Sequence, residues 1–187
     1  MGPVARARRS PTNRDMILSL LVILIPVAII AFLLTRGQDE PNVPTVDWKP
    51  VAAQAAKEAP YEVLAPAELP AGWRATQVSW TKIGEPDPTG NESPRNRWRL
   101  GVLTDQQVYI ELDQVDKQAQ DFVDDITRNG QPDGTSTVAG QSWQRLVTDD
   151  DRTRSLVLAT PKVTTVVSGD TSYRLLEDYA GLLRAQP

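Results

Sequence analysis

The chain has 187 residues, a formal net charge of −4, 40% apolar and 24% charged residues, and neither histidine nor cysteine. Those two absences exclude Ser-His-Asp and Cys-His nucleophile systems, thiol redox centres, disulfide frameworks and His/Cys sites for zinc or haem. Chemistry would have to run on carboxylates, Ser/Thr, Lys/Arg, Tyr/Trp or backbone groups. The length suits one ordinary domain plus an appendage.

Met16–Leu34 reads MILSLLVILIPVAIIAFLL, nineteen residues without a charge. As a helix it would reach about 30 Å, the depth of a bilayer's hydrocarbon core, and a spanning helix tolerates a proline such as Pro26 as a kink. Arg6, Arg8, Arg9 and Arg14 precede it, whereas Arg36, Asp39 and Glu40 follow. The positive-inside rule then predicts a cytoplasmic N-terminus. A cleaved signal peptide would have a shorter apolar region and a small-x-small site, absent from Leu33-Leu34-Thr35-Arg36-Gly37. The reading is an uncleaved single-pass anchor with the C-terminal domain outside the plasma membrane. Residues 1–15 form a basic cytoplasmic tail, 16–35 the anchor that contacts the lipid bilayer, 36–47 an extended linker with Pro41 and Pro44, and 48–187 the extracytoplasmic domain. The tail carries +3 and the remainder −7, which argues against nucleic acid as the domain's partner.

Within the domain, the Ala-rich stretch Val51–Ala59 is predicted as a short helix closed by Pro60. A strand follows over Trp73–Ile83, with Thr76, Val78 and Trp80 on one face and Ala75, Gln77 and Ser79 on the other. Residues 84–96, GEPDPTGNESPRN, form a polar loop, long enough to be mobile or a contact site. Two strands, Arg97–Leu103 and Gln107–Asp113, are predicted to pair across a turn at Thr104-Asp105-Gln106. Setting Leu100 opposite Ile110 also sets Arg99 opposite Glu111 and Arg97 opposite Asp113, so apolar and ionic pairing agree. An amphipathic helix comes next, with Asp116 as cap and Ala119, Phe122, Val123 and Ile126 as its stripe. Asn129–Gly140 reads as a turn-rich loop. Strands near Gln141–Thr148, Arg152–Thr160 and Val163–Ser168 precede a closing helix over Thr171–Arg184, whose stripe is Leu175, Leu176, Tyr179, Leu182 and Leu183. The fold class is α+β: a largely antiparallel sheet with helices packed on it, in two β-β-β-α halves that begin corresponding strands at Arg97-x-Arg99 and Arg152-x-Arg154.

Several constellations invite a chemical reading. Ser79-Trp80-Thr81-Lys82 fits S-x-x-K, but in a strand the first and fourth residues lie about 10 Å apart on opposite faces. Asp121, Asp124 and Asp125, and the run Asp149–Asp151, lack the spacing of a calcium loop and suit a wet helix face and a hairpin turn. Glu111 and Asp113 share a strand face as a glycosidase pair would, yet their predicted arginine partners suit cross-strand ion pairs better. Trp73, Trp80, Trp98 and Trp143 fall in or at strands and complete a core, or line a groove for an apolar ligand or glycan; Trp48 could meet the membrane interface or a partner. Asn91-Glu92-Ser93 has the form of a glycosylation acceptor, disfavoured by Pro94. No catalytic, cofactor-binding or metal-binding residue is assigned.

Asn13-Arg14-Asp15-Met16 entering an uncleaved helix, Pro70-Ala71-Gly72-Trp73-Arg74 before a long strand, and a Leu-rich terminal helix resemble an actinobacterial family of single-pass envelope proteins, domain of unknown function 4245. The resemblance implies a Gram-positive plasma membrane with the domain outside, and no activity or cofactor. More loosely, the layout is similar to the Mog1/PsbP-like fold of small binding and assembly proteins. The functional expectation is a membrane-anchored interaction or accessory module of the cell envelope, with an envelope protein as partner and no enzymatic activity. The alternatives are a domain that binds or senses a small lipid or glycan fragment, and a carboxylate-based hydrolase.

Overall fold

The structure is a computed structural model and describes residues 13–36, 43–87 and 89–187. The basic tail over residues 1–12 and the linker over 37–42 lie outside the described residues. The chain divides into two compact units, Met1–Val43 and Pro44–Pro187. In the first, α1 runs over Asn13–Arg36 and contains Pro26; at 1.5 Å per residue it is about 36 Å long. Its described apolar side chains are exposed within the chain. Among the described residues no helix is long and apolar enough to cross a membrane.

The second unit is α+β. A seven-stranded sheet has the order β2 (Arg74–Thr81), β3 (Arg97–Leu103), β4 (Tyr109–Val115), β8 (Thr164–Gly169), β7 (Arg154–Ala159), β6 (Gln141–Val147), β5 (Gln131–Val138), all neighbours antiparallel. Two meanders meet at β4 and β8. The connection from β4 to the far edge carries α3 (Ala119–Ile126). Alternation along the strands divides the sheet into two faces. One holds Trp98, Leu100, Val102, Ile110, Leu112, Leu156 and Val167, all essentially inaccessible to solvent. α2 (Lys49–Glu58) and α4 (Tyr173–Ala180) cover this core face through Ala52, Ala55, Leu176 and Tyr179. A two-stranded ribbon of β1 (Leu64–Pro66) and β9 (Leu183–Ala185) joins them. The opposite, outer face has a smaller apolar cluster in which Phe122 of α3 meets Val115, Leu146, Val157 and Val166.

Polar groups stitch the ribbon to the core face. Gln114, fully buried, accepts from the Leu64 N–H at 2.7 Å and donates to the Glu62 carbonyl and to Thr165 Oγ1. Its amide thus supplies the pairing that a strand would otherwise give this segment. Trp98 Nε1 donates to the Leu64 carbonyl, and Gln186 N–H to the Val63 carbonyl. Trp48, expected as a possible membrane or partner contact, is buried in this core instead. Val46 N–H donates to the Ala75 carbonyl, so the end of the segment read as linker lies along β2.

Several expectations are corrected. The β3–β4 register is displaced by two residues: Leu100 faces Leu112, Arg99 faces Asp113, and Arg97 faces Val115. Thr104 N–H donates to the Val108 carbonyl and Thr104 Oγ1 accepts from the Val108 N–H, so the three-residue loop is 105–107, with Gln107 at φ 60°. A type I turn closed by a left-handed residue gives this geometry. A shift of two preserves the faces, so the ionic partners survive as diagonals. In β2 a bulge between Ala75 and Gln77 moves Ala75 to the core side. Asn129–Gly140 is mostly not a loop, because β5 occupies Gln131–Val138. An edge strand tolerates Pro132 and Gly134, and its pairing skips between Pro132 and Thr135. Asp116 caps no helix: it accepts from the Asn96 N–H and side-chain amide, and Gln118 holds the N-cap position. The closing helix ends at Ala180, and Leu183 enters β9. The halves are therefore β-β-β-α and β-β-β-β-α with helices on opposite faces. Arg154 begins β7 on the core side and Arg152 lies outside it, which removes the proposed correspondence with Arg97 and Arg99.

Candidate functional site

The outer face of β3 and β4 is not apolar. Arg97, Arg99, Glu111 and Asp113 point out of it together, beside α3. Arg97 Nε donates to Asp113 Oδ1 at 2.8 Å and Arg99 Nε to the same oxygen at 3.4 Å. Arg99 Nε also lies 2.8 Å from Glu111 Oε1, an ion pair without hydrogen-bond alignment, since that oxygen accepts no hydrogen bond among the described residues. Arg97 Nη2 stands 3.8 Å from Glu111 Oε1. Asp113 is 1% exposed and its Oδ2 is without a hydrogen bond, as is Arg97 Nη2.

Burial dominates the electrostatics. It pushes Glu111 up to about 7, helped by the Asp113 charge and opposed by Arg99. It pushes Asp113 up to about 6 against the pull of Arg99. Tyr109 extends the cluster: its hydroxyl lies 3.1 Å from Glu111 Oε2 and 3.2 Å from Gln77 Oε1, reaching from β4 across β3 to β2. Gly101 makes this possible, because a Cβ there would collide with the Tyr109 hydroxyl. Burial and the Glu111 charge raise the Tyr109 phenol above its ordinary range.

The quartet lies between two clefts open to solvent. The first, of about 320 Å³, is lined by Ser79, Thr81, Arg95, Arg97, Arg99 and Phe122, with Asp87, Asp121 and Asp125 among its other walls. The second, of about 520 Å³, shares Arg99 and Asp125 and adds Tyr109, Glu111, Arg128 and Asp170. The loop before β3 forms a wall of the first. It is tied by Asp87, which accepts from Thr89 and Asn91, and by a Pro86–Glu92 bridge. Arg95 donates to the Gln118 carbonyl and side chain, fastening this loop to the start of α3. The Arg95 and Arg97 guanidinium groups lie 5.4 and 5.0 Å from the Phe122 ring centre.

Chemically, the arrangement suits binding better than hydrolysis. Both carboxylates face guanidinium groups, which neutralise the acids that a glycosidase would keep for its substrate. Ser79 and Lys82 do not form a nucleophile pair: Lys82 bonds Glu58 and Glu85. Asp150 accepts from Thr148 and from the Arg152 N–H within its hairpin turn. Among the described residues no group of three or more acidic side chains is placed to hold a metal ion. Sequence reasoning identified the four charged residues but missed Tyr109 and the cleft. The available signal was Gly101, a glycine inside a strand, which often marks a close approach.

The chain has no match among curated protein sequences. Its fold has a weak likeness to two solved structures, MucB in complex with MucA(peri) and the Pseudomonas aeruginosa MucA/MucB complex. In both the identity is 15% and the TM-score 0.38, over 66% of this chain. The match spans 36% and 35% of those chains, about a third of their length. A family model described as Protein of unknown function (DUF4245) matches residues 8–183, from the basic tail through the quartet to β9, and the chain belongs to that family.

Proposed function

We propose that the chain is a membrane-anchored interaction module of the cell envelope, with α1 as its single-pass anchor and the outer-face clefts as the surface that engages a protein partner. The observation that carries this reading is the quartet: two carboxylates and two guanidinium groups, largely buried and only partly satisfied by one another, lie between two clefts open to solvent. An interface that brings further donors and acceptors completes such a set. The same mutual neutralisation argues against an acid–base role. The apolar segment Met16–Leu34 and its arginine-rich flank support the anchor and its orientation.

A cleft of about 690 Å³ on the core side, lined by Tyr61, Leu64, Leu158 and Val163 among others, gives the small-ligand reading its best observation. It is open rather than enclosed, which favours the interaction module.

The test is site-specific photocrosslinking of the full-length protein in its own membrane, with the reactive group at Thr81 in the first cleft or at Lys57 on the exposed side of α2. The expected result is one protein captured from Thr81, not from Lys57, and lost in Arg97→Ala. No capture from Thr81, together with a lipid or sugar that copurifies with the protein, would overturn the proposal in favour of the ligand reading. An alkaline phosphatase fusion at Pro187 should be active and one at Asp15 inactive; the opposite pattern would refute the orientation.

A further inference from the structure

We propose, building on the interaction-module reading, that the partner presents a single carboxylate to the first cleft, the side chain of an aspartate or glutamate, which the donors of β2 and β3 receive. Arg95, Arg97 and Arg99 alternate along the chain and all line this cleft. Arg97 and Arg99 direct their Nε groups at Asp113 Oδ1, and their terminal nitrogens make no hydrogen bond among the described residues. Of those nitrogens only Arg97 Nη2 is buried. The two side chains keep 23% and 17% of their surface exposed, so a guest can reach the rest.

The neighbouring strand adds hydroxyls beside these guanidinium groups. Ser79 is paired with Arg99 and Thr81 with Arg97, so the four side chains leave the same face of the sheet. Ser79 and Thr81 line the cleft, half-buried, with hydroxyls that make no hydrogen bond among the described residues. A guanidinium edge beside hydroxyls that can turn to donate matches a carboxylate, which only accepts. The cleft, at about 320 Å³, has room for a side chain but not for a folded element.

Charge limits the guest to one negative unit. When Glu111 and Asp113 are both ionised, three guanidinium groups face two carboxylates and leave one positive charge over. Arg95 supplies it, since its own hydrogen bonds go to the neutral Gln118. Asp121 and Asp125 line the cleft from α3 without an ion pair among the described residues, and Asp87 lines it from the loop, its Oδ1 taken by Thr89 and Asn91. These carboxylates repel a phosphate or a second acidic group, so the cleft selects a lone carboxylate. A basic segment is the competing guest: it would seat on Asp121 and Asp125 and be repelled by the floor. The two guests therefore respond with opposite sign to a charge added beside Arg99.

The test is photocrosslinking from Thr81 of the full-length protein in its own membrane, in variants that alter charge beside the guest. Ser79→Lys should raise capture of the partner and Ser79→Asp should lower it, each by about five- to tenfold. The hydroxyl lost in either has no partner within the described residues, and a gain in Ser79→Lys cannot arise from misfolding. Asp121→Asn combined with Asp125→Asn should raise capture or leave it unchanged, whereas a basic guest would be lost. Mass spectrometry of the crosslinked segment should find an aspartate or glutamate in it. Capture that does not rise in Ser79→Lys, does not fall in Ser79→Asp, or falls when both α3 aspartates are neutralised overturns the proposal and leaves the interaction module standing. A crosslinked segment free of acidic residues does the same. Absence of capture from Thr81 in the wild type removes the module and the lone carboxylate together.

Discussion

Gln114 shows how much one side chain decides. Its neighbours on β4 alternate as a half-buried strand should, and its place on the core face, between Leu112 and the ribbon, would suit an apolar residue. It serves as a polar group there because it accepts from the Leu64 N–H and donates to the Glu62 carbonyl and Thr165 Oγ1. Replacement by leucine fills the space but strands the Leu64 N–H and the Glu62 carbonyl. The expected loss is about 2–4 kcal/mol, measurable by urea denaturation, with faster amide exchange at Leu64 before the sheet opens. Gly101 and Tyr109 act as a second such pair, where removal of a Cβ on β3 allows a ring from β4 to reach β2. Glu111 and Asp113 were legible as neighbours on one face. Their burial was not, since it depends on α3 and the adjoining loop being laid over them.

At the level of elements, local signals placed most strands and helices and failed where a tertiary partner overrides them. β5 is rich in turn formers and is a strand because β6 pairs with it across Ala139 and Gly140, both at positive φ, as a two-residue hairpin loop with mirror-image turn geometry requires. The last turn of the expected closing helix is surrendered to β9 because β1 offers a strand edge. α3 is lightly secured. Phe122 is its one buried side chain, and no side chain caps its N-terminus. Phe122→Ala should cost about 3 kcal/mol, and amide exchange over Ala119–Ile126 should rise well before that of β4. Equal protection in variant and wild type would mean that the Arg95 bonds to Gln118 alone hold the helix.

For the whole second unit, the two meanders meet only through β4 and β8, and the chain ends close the core side. Residues 183–186 pair with β1 and with the Val63 and Ala65 carbonyls, 123 residues away in sequence at the farthest. Deleting residues 183–187 should therefore destabilise the unit far more than a frayed tail would: about 2–4 kcal/mol from the buried Leu183 and the unpaired ribbon. A change under about 0.5 kcal/mol in the denaturation midpoint would show the ribbon to be dispensable.

Composition and periodicity determined by themselves the missing catalytic chemistries, the apolar segment ahead of the domain, the α+β class, the two faces of β3 and β4 and the four charges on one of them, because each depends on residue type or on a period of two or 3.6. Only the tertiary structure decided the register, the strand at residues 131–138, the fate of the last helical turn and the burial of Glu111 with Asp113. Each of those is a competition between a local preference and a distant partner, and the partner's position is not written in the local sequence.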